Sequence, residues 1–215
     1  MPKPVKRPRP YDATRRRELA AESRRATRSA VIEAAGRLLT AHGYAATSVA
    51  AIAAEAGVSA QTVYANFENK RGLLQALMDQ RVRGDAPAPP FPPPPGEEDP
   101  ADPLEFLRRL AAGGRRLFER TAPIWPVVRE AAASDPLIED WWNREMERRL
   151  QTARSYVERL PAGTLKKDLT PQLAADIFWT VASPETYEAL VARRGWTPQA
   201  FETWIAEAIA DLLLA

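Results

Sequence analysis

Residues 86–103, APAPPFPPPPGEEDPADP, hold nine prolines. That density rules out helix, because each proline lacks a backbone N–H and crowds the preceding turn. The stretch reads as an extended spacer, and it divides the chain into an N-terminal segment and a larger body. Both sides carry helical periodicity, and no useful length alternates with the period of two that a half-buried strand needs. The expected fold is all-α. The expected organisation is a basic, disordered arm over 1–22, a compact helical domain over 23–82, a proline-rich linker over 83–103 and a helical domain over 104–215. A joint of that composition is expected to transmit strain poorly.

Charge is distributed unevenly. Residues 1–28 carry ten lysines and arginines against three acids, a local excess of +7 in a chain whose net charge is +2. A basic end on a mildly acidic body points to an anionic partner, nucleic acid or membrane surface. No apolar run approaches the length of a membrane span, and the start, MPKPVKRPRP, lacks the apolar stretch of a secretory signal. The absence of cysteine removes disulfides and thiolate chemistry and fits a reducing cytoplasm; with the basic end, the expected location is cytoplasmic and nucleoid-associated.

From about Arg24, Ala30, Val31, Ala34, Ala35, Leu38 and Leu39 recur at helical spacing. Gly43 suits the left-handed residue that closes such a helix, and Tyr44 is expected to dock on the domain. Residues 47–67, TSVAAIAAEAGVSAQTVYANF, then read as two short helices. Thr47 or Ser48 can cap the first and Ser59 the second. Val49, Ile52 and Ala53 form one inner face, and Val63 and Phe67 the other. Gly57 in the tight turn permits positive φ, which gives helix-turn-helix geometry. A further helix near Asn69 carries Leu73, Leu74, Leu77 and Met78 at core spacing.

The outward face of the second short helix consists of Ala60, Gln61, Thr62, Tyr64, Ala65 and Asn66. Amide side chains can pair with an adenine edge, and small or methyl-bearing ones can meet a thymine methyl. Hydroxyls suit phosphates. Lys70 in the first turn of the next helix opposes the helix dipole, a position that a bound phosphate would justify. Arg28 and Ser59 complete the candidate DNA-binding set. His42, the single histidine, reads as a neighbour of the helix end. Without a second histidine, a cysteine, a phosphate-binding glycine loop or a metal-ligand cluster, no catalytic residue, metal or cofactor is expected.

The segment from Arg28 to Leu77 resembles the TetR family of bacterial transcriptional regulators. The matching residues are Ile32, Ala34, Ala35, Leu38, Gly43, Tyr44, Thr47, Ile52, Ala53, Gly57, Val58, Ser59, Thr62, Val63, Tyr64, Phe67, Lys70 and Leu74. The resemblance implies an N-terminal three-helix DNA-binding domain on a larger helical ligand-binding and dimerisation domain. It implies a homodimer on a palindromic operator, released by a small molecule held in the C-terminal body. Thr47, Tyr64 and Lys70 match family phosphate contacts, and Gln61 and Asn66 sit where base contacts usually occur.

In the body, helices are expected from Leu104 to about Thr121, briefly after Pro123, and from Pro136 to Leu160. Thr170-Pro171 and Thr197-Pro198 each start another, with proline at the first helical position. The helices near 171–194 and 197–214 are expected to dimerise as a four-helix bundle. Trp125, Trp141, Trp142, Glu145 and Trp179 are the candidate pocket residues, because ligand sites are largely apolar and aromatic. Trp142 fits the core stripe of its helix, and Trp141 beside it could reach a cavity. The expected function is repression relieved by a small apolar or aromatic effector. The alternative is an architectural DNA-binding protein without sequence preference.

Overall fold

A computed structural model describes residues 13–84 and 102–215; residues 1–12 and most of the proline-rich stretch lie outside them. The N-terminal side holds α1 (Ala13–Ala46), α2 (Val49–Glu55), α3 (Ala60–Phe67) and α4 (Lys70–Arg83). The body holds α5 (Pro103–Thr121), α6 (Trp125–Ala132), α7 (Pro136–Glu158), α8 (Pro171–Val181) and α9 (Pro184–Tyr187). It ends with a π-helical turn (Glu188–Arg193) and α10 (Pro198–Leu213). Among the described residues there is no strand, only one isolated bridge between Leu165 and Leu214. No helix there is long and apolar enough to cross a membrane.

Caps delimit these helices as their sequences require. Thr170 and Thr197 accept from the backbone N–H groups of Leu173 and Ala200, with proline next in line. Ser183 accepts from Thr186 and opens α9 at Pro184. These side chains satisfy helix-start donors that have no partner inside the helix.

The start of α1 differs from expectation. Part of the segment expected as a disordered arm, residues 13–22, is helical. Between Ala13 and Ala35 there is neither proline nor glycine, and alanine, arginine, glutamate and leucine propagate helix well. Residues 15–20 and 22–26 are exposed, so local propensity sustains this extension without burial. At its other end α1 breaks at Gly43, whose φ of 80° and ψ of 173° suit glycine alone.

Two apolar cores organise the molecule. One joins α1–α4 to α6 and the first half of α7, and centres on Leu39, Ile52, Leu73, Leu77, Val128 and Ile138. The other joins α5, the second half of α7, α8 and α10 around Leu110, Val157, Phe201 and Leu213. The first core therefore crosses the proline-rich stretch. The reason is area: α2 and α3 have seven and eight residues and bury three and two side chains. α6 adds apolar surface against α1, and each fully buried large apolar side chain contributes about 1.5–3 kcal/mol. The two halves are thus coupled by packing, whatever the stiffness of the linker.

Candidate nucleic-acid interface and effector cavity

Ser48 caps α2 by accepting from the Ala51 N–H, and Ser59 caps α3 by accepting from the Thr62 N–H at 3.1 Å. Between them Gly57 takes φ +67°, with open space where a β-carbon would lie. This glycine serves the turn's backbone and no close contact. Val63 and Phe67 anchor α3 in the first core. Gln61, Tyr64, Ala65 and Asn66 face solvent, while Ala60 and Thr62 are half-buried. Tyr64 is 51% exposed, which is unusual for a large aromatic side chain without a partner surface. Arg28 braces the far end of α3: its guanidinium lies 4.4 Å from the Phe67 ring centroid and donates to the Asn66 carbonyl at 3.5 Å.

Two candidates lie deeper than expected. Thr47 is buried, and its hydroxyl donates to the Gly43 carbonyl at 2.8 Å. Lys70 donates from Nζ to the Tyr44 and Thr47 carbonyls at 2.7 and 3.0 Å and sits 4.1 Å from the centre of the Tyr44 ring. Burial holds the Lys70 ammonium below its usual pKa. These carbonyls offset the cost of a cation in the first turn of α4, without a phosphate.

Glu130 on α6 was not legible as functional from its sequence neighbourhood. Its carboxylate accepts from the Tyr44 and Ala45 N–H groups at 2.9 and 3.0 Å. Those donors follow the Gly43 break, so Glu130 caps the displaced last turn of α1. The N–H bonds from Ala45 and Tyr44 hold its carboxyl below the ordinary carboxylate range. Arg71 on α4 reaches Asp135, just before α7, at 3.3 Å. Arg120 on α5 donates to the Arg81 and Val82 carbonyls at the end of α4. Three side-chain links therefore tie the helix-turn-helix unit to the body.

Beneath α4 the body forms a partly open cavity of about 250 Å³. Met78 and Val82 of α4, Trp125 of α6, Phe118 of α5, Tyr156 of α7 and Phe201 of α10 are among its walls. Of the candidate pocket residues, Trp125, Glu145 and Trp179 line it; Trp141 and Trp142 do not. Trp141 is buried in the first core. Trp142 packs edge-on against Trp125 at 5.1 Å. The buried face of the first turns of α7 therefore follows Ile138 and Trp141 rather than Ile138 and Trp142. Burial raises the Glu145 pKa and lowers that of Arg149, another wall residue.

Two short capped helices, crossing on a shared core with a polar outer face, define a helix-turn-helix DNA-binding unit on an all-helical body. The profile described as "Bacterial regulatory proteins, tetR family" matches residues 31–77. YvkB of Bacillus subtilis, an uncharacterised HTH-type transcriptional regulator, is 45% identical over 56 residues, covering 26% of this chain and 30% of that protein. ComR of Escherichia coli, an HTH-type transcriptional repressor, is 42% identical over 55 residues, covering 26% of each chain. NalD of Pseudomonas aeruginosa, the secondary repressor of the MexAB-OprM multidrug efflux pump, has a solved structure that superposes with a TM-score of 0.64 at 22% identity, over 87% of this chain and 96% of that one. Over residues 31–77 this chain is similar to the tetR-family DNA-binding domain. The match spans under a third of the curated relatives, and the likeness to NalD extends the shared fold through the body. These relatives are described as transcriptional regulators or repressors.

Proposed function

We propose that this protein is a dimeric transcriptional repressor that occupies a palindromic operator and leaves it when a small apolar or aromatic molecule fills the cavity. The observation that carries the reading is the outer face of α3: Gln61, Tyr64 and Asn66 are exposed on a helix fixed at one end by Ser59 and at the other by Arg28. A helix presented this way can enter a major groove, with Gln61 and Asn66 on base edges and Tyr64 on phosphate. Ala60 and Thr62 add apolar contact. The basic N-terminal segment adds salt-dependent affinity.

Release follows from shared elements. The cavity is walled by α4 and α6, and α6 also carries Glu130, the cap on the last turn of α1. An occupant that displaces α6 moves the surface on which the helix-turn-helix rests. It favours a half-site spacing that the operator does not match.

Dimerisation through α8 and α10 is supported by Leu173 and Leu212, exposed by 51% and 45% on those two helices. Sedimentation of the protein alone and with duplex DNA tests the assembly. The reading predicts a dimer at micromolar concentration and two chains per bound site; a monomer that binds one chain per duplex overturns it.

A further inference from the structure

The charges in the cavity wall are not equally balanced. Arg115, Arg148, Arg149 and Glu145 all line it. Arg148 pairs with Glu145 at 2.6 Å. Arg115 lies between Glu119 and Glu202. Arg149 differs. Among the described residues no carboxylate lies within ion-pair distance of it, and Glu185, whose field reaches it, is paired with Arg129 at 3.3 Å. Arg149 donates to the Trp179 and Ala182 carbonyls at 2.9 and 3.4 Å and touches the Met146 thioether at 3.6 Å. The two carbonyls end α8, and a helix C-terminus supplies only about half a negative charge.

Two wall side chains also carry buried donors without acceptors. The indole N–H groups of Trp125 and Trp179 are buried and have no partner, although both side chains line the cavity. An unmet buried donor is costly. The wall therefore holds surplus positive charge at Arg149, while its single carboxylate is already paired with Arg148. A cationic ligand would meet no free anion, and a purely apolar one would leave the Arg149 guanidinium without a counter-charge.

We infer that the effector is an amphiphilic anion, with an apolar chain in the aromatic cavity and a carboxylate or similar monoanionic head beside Arg149. The inference rests on the proposed effector role of this cavity and narrows its apolar occupant to one that also carries an anionic head.

The test titrates the full chain with decanoate, decanol and decyltrimethylammonium, each below its micelle concentration, following tryptophan emission. Decanoate should bind about tenfold more tightly than either of the others, the scale of one charge-assisted hydrogen bond. Arg149→Gln should remove that advantage and leave decanol affinity unchanged, and Arg149→Lys should retain part of it. Tighter binding of decanol or the ammonium compound overturns the anion assignment and leaves the cavity an effector site. Equal loss of all three ligands in Arg149→Gln also overturns it, because the arginine then only holds α8 in place. Failure of all three to bind overturns the effector role and this inference together.

Discussion

The Glu130 carboxylate stands where a side chain at Gly43 would have to go: a β-carbon there would lie 2.6 Å from Glu130 Oε2. Gly43 also holds φ +80°. A residue of the DNA-binding unit and one of the body are thus fitted to each other across 87 positions of sequence. Gly43→Ala meets both obstacles. It should cost about 1–3 kcal/mol for the glycine-only backbone region alone, lowering the melting temperature by several degrees. An unchanged melting temperature would mean that the break in α1 relaxes freely.

The Glu130 link carries a pH signature. Its carboxyl is held below the ordinary value of 4.5 by two backbone N–H groups, so its contribution is fully present above 4.5 and is lost as pH falls through the lowered value. The wild-type protein should be more stable than Glu130→Gln at neutral pH, with the gap closing below pH 4.5. The group is exposed, so the effect is small. A gap that does not change with pH would assign the difference to packing.

Lys70→Met separates two roles for one ammonium. Loss of its bonds to the Tyr44 and Thr47 carbonyls should destabilise the protein by about 1–3 kcal/mol, the scale of hydrogen bonds from a charged group. Thermal melting measures this without DNA. An unchanged melting temperature with weakened DNA binding would assign Lys70 to phosphate contact alone.

Gln61→Ala should weaken binding to a selected operator by about 1–3 kcal/mol and relax preference at one base pair per half-site, while affinity for random DNA stays nearly constant. Competition binding measures both. Equal losses on both DNAs would place Gln61 on the backbone instead.

Legibility in the sequence followed the range of the interactions. α2, α3, α8 and α10 rest on caps three residues from their partners, such as Ser59 with Thr62 and Thr170 with Leu173, so spacing alone revealed them. The helical start at Ala13 was obscured because basic composition suggested a tail, while the absence of a helix breaker after Pro10 pointed the other way. On α7, Trp141 and Trp142 are adjacent, and the packing of α6 against the first core decides which is buried. Periodicity could not choose between them. Glu130 and Arg149 act on partners about 85 and 30 residues away, contacts that only the fold brings about.

The central claim is sequence-specific recognition by α3. Its most direct test is selection of random duplexes by the purified full chain, with affinities taken at two salt concentrations. The account predicts recovery of a palindrome bound at least about a thousandfold more tightly than random DNA. Recovery of no consensus, with similar affinity for every duplex and a steep salt dependence, would contradict it and leave a sequence-independent DNA-binding protein.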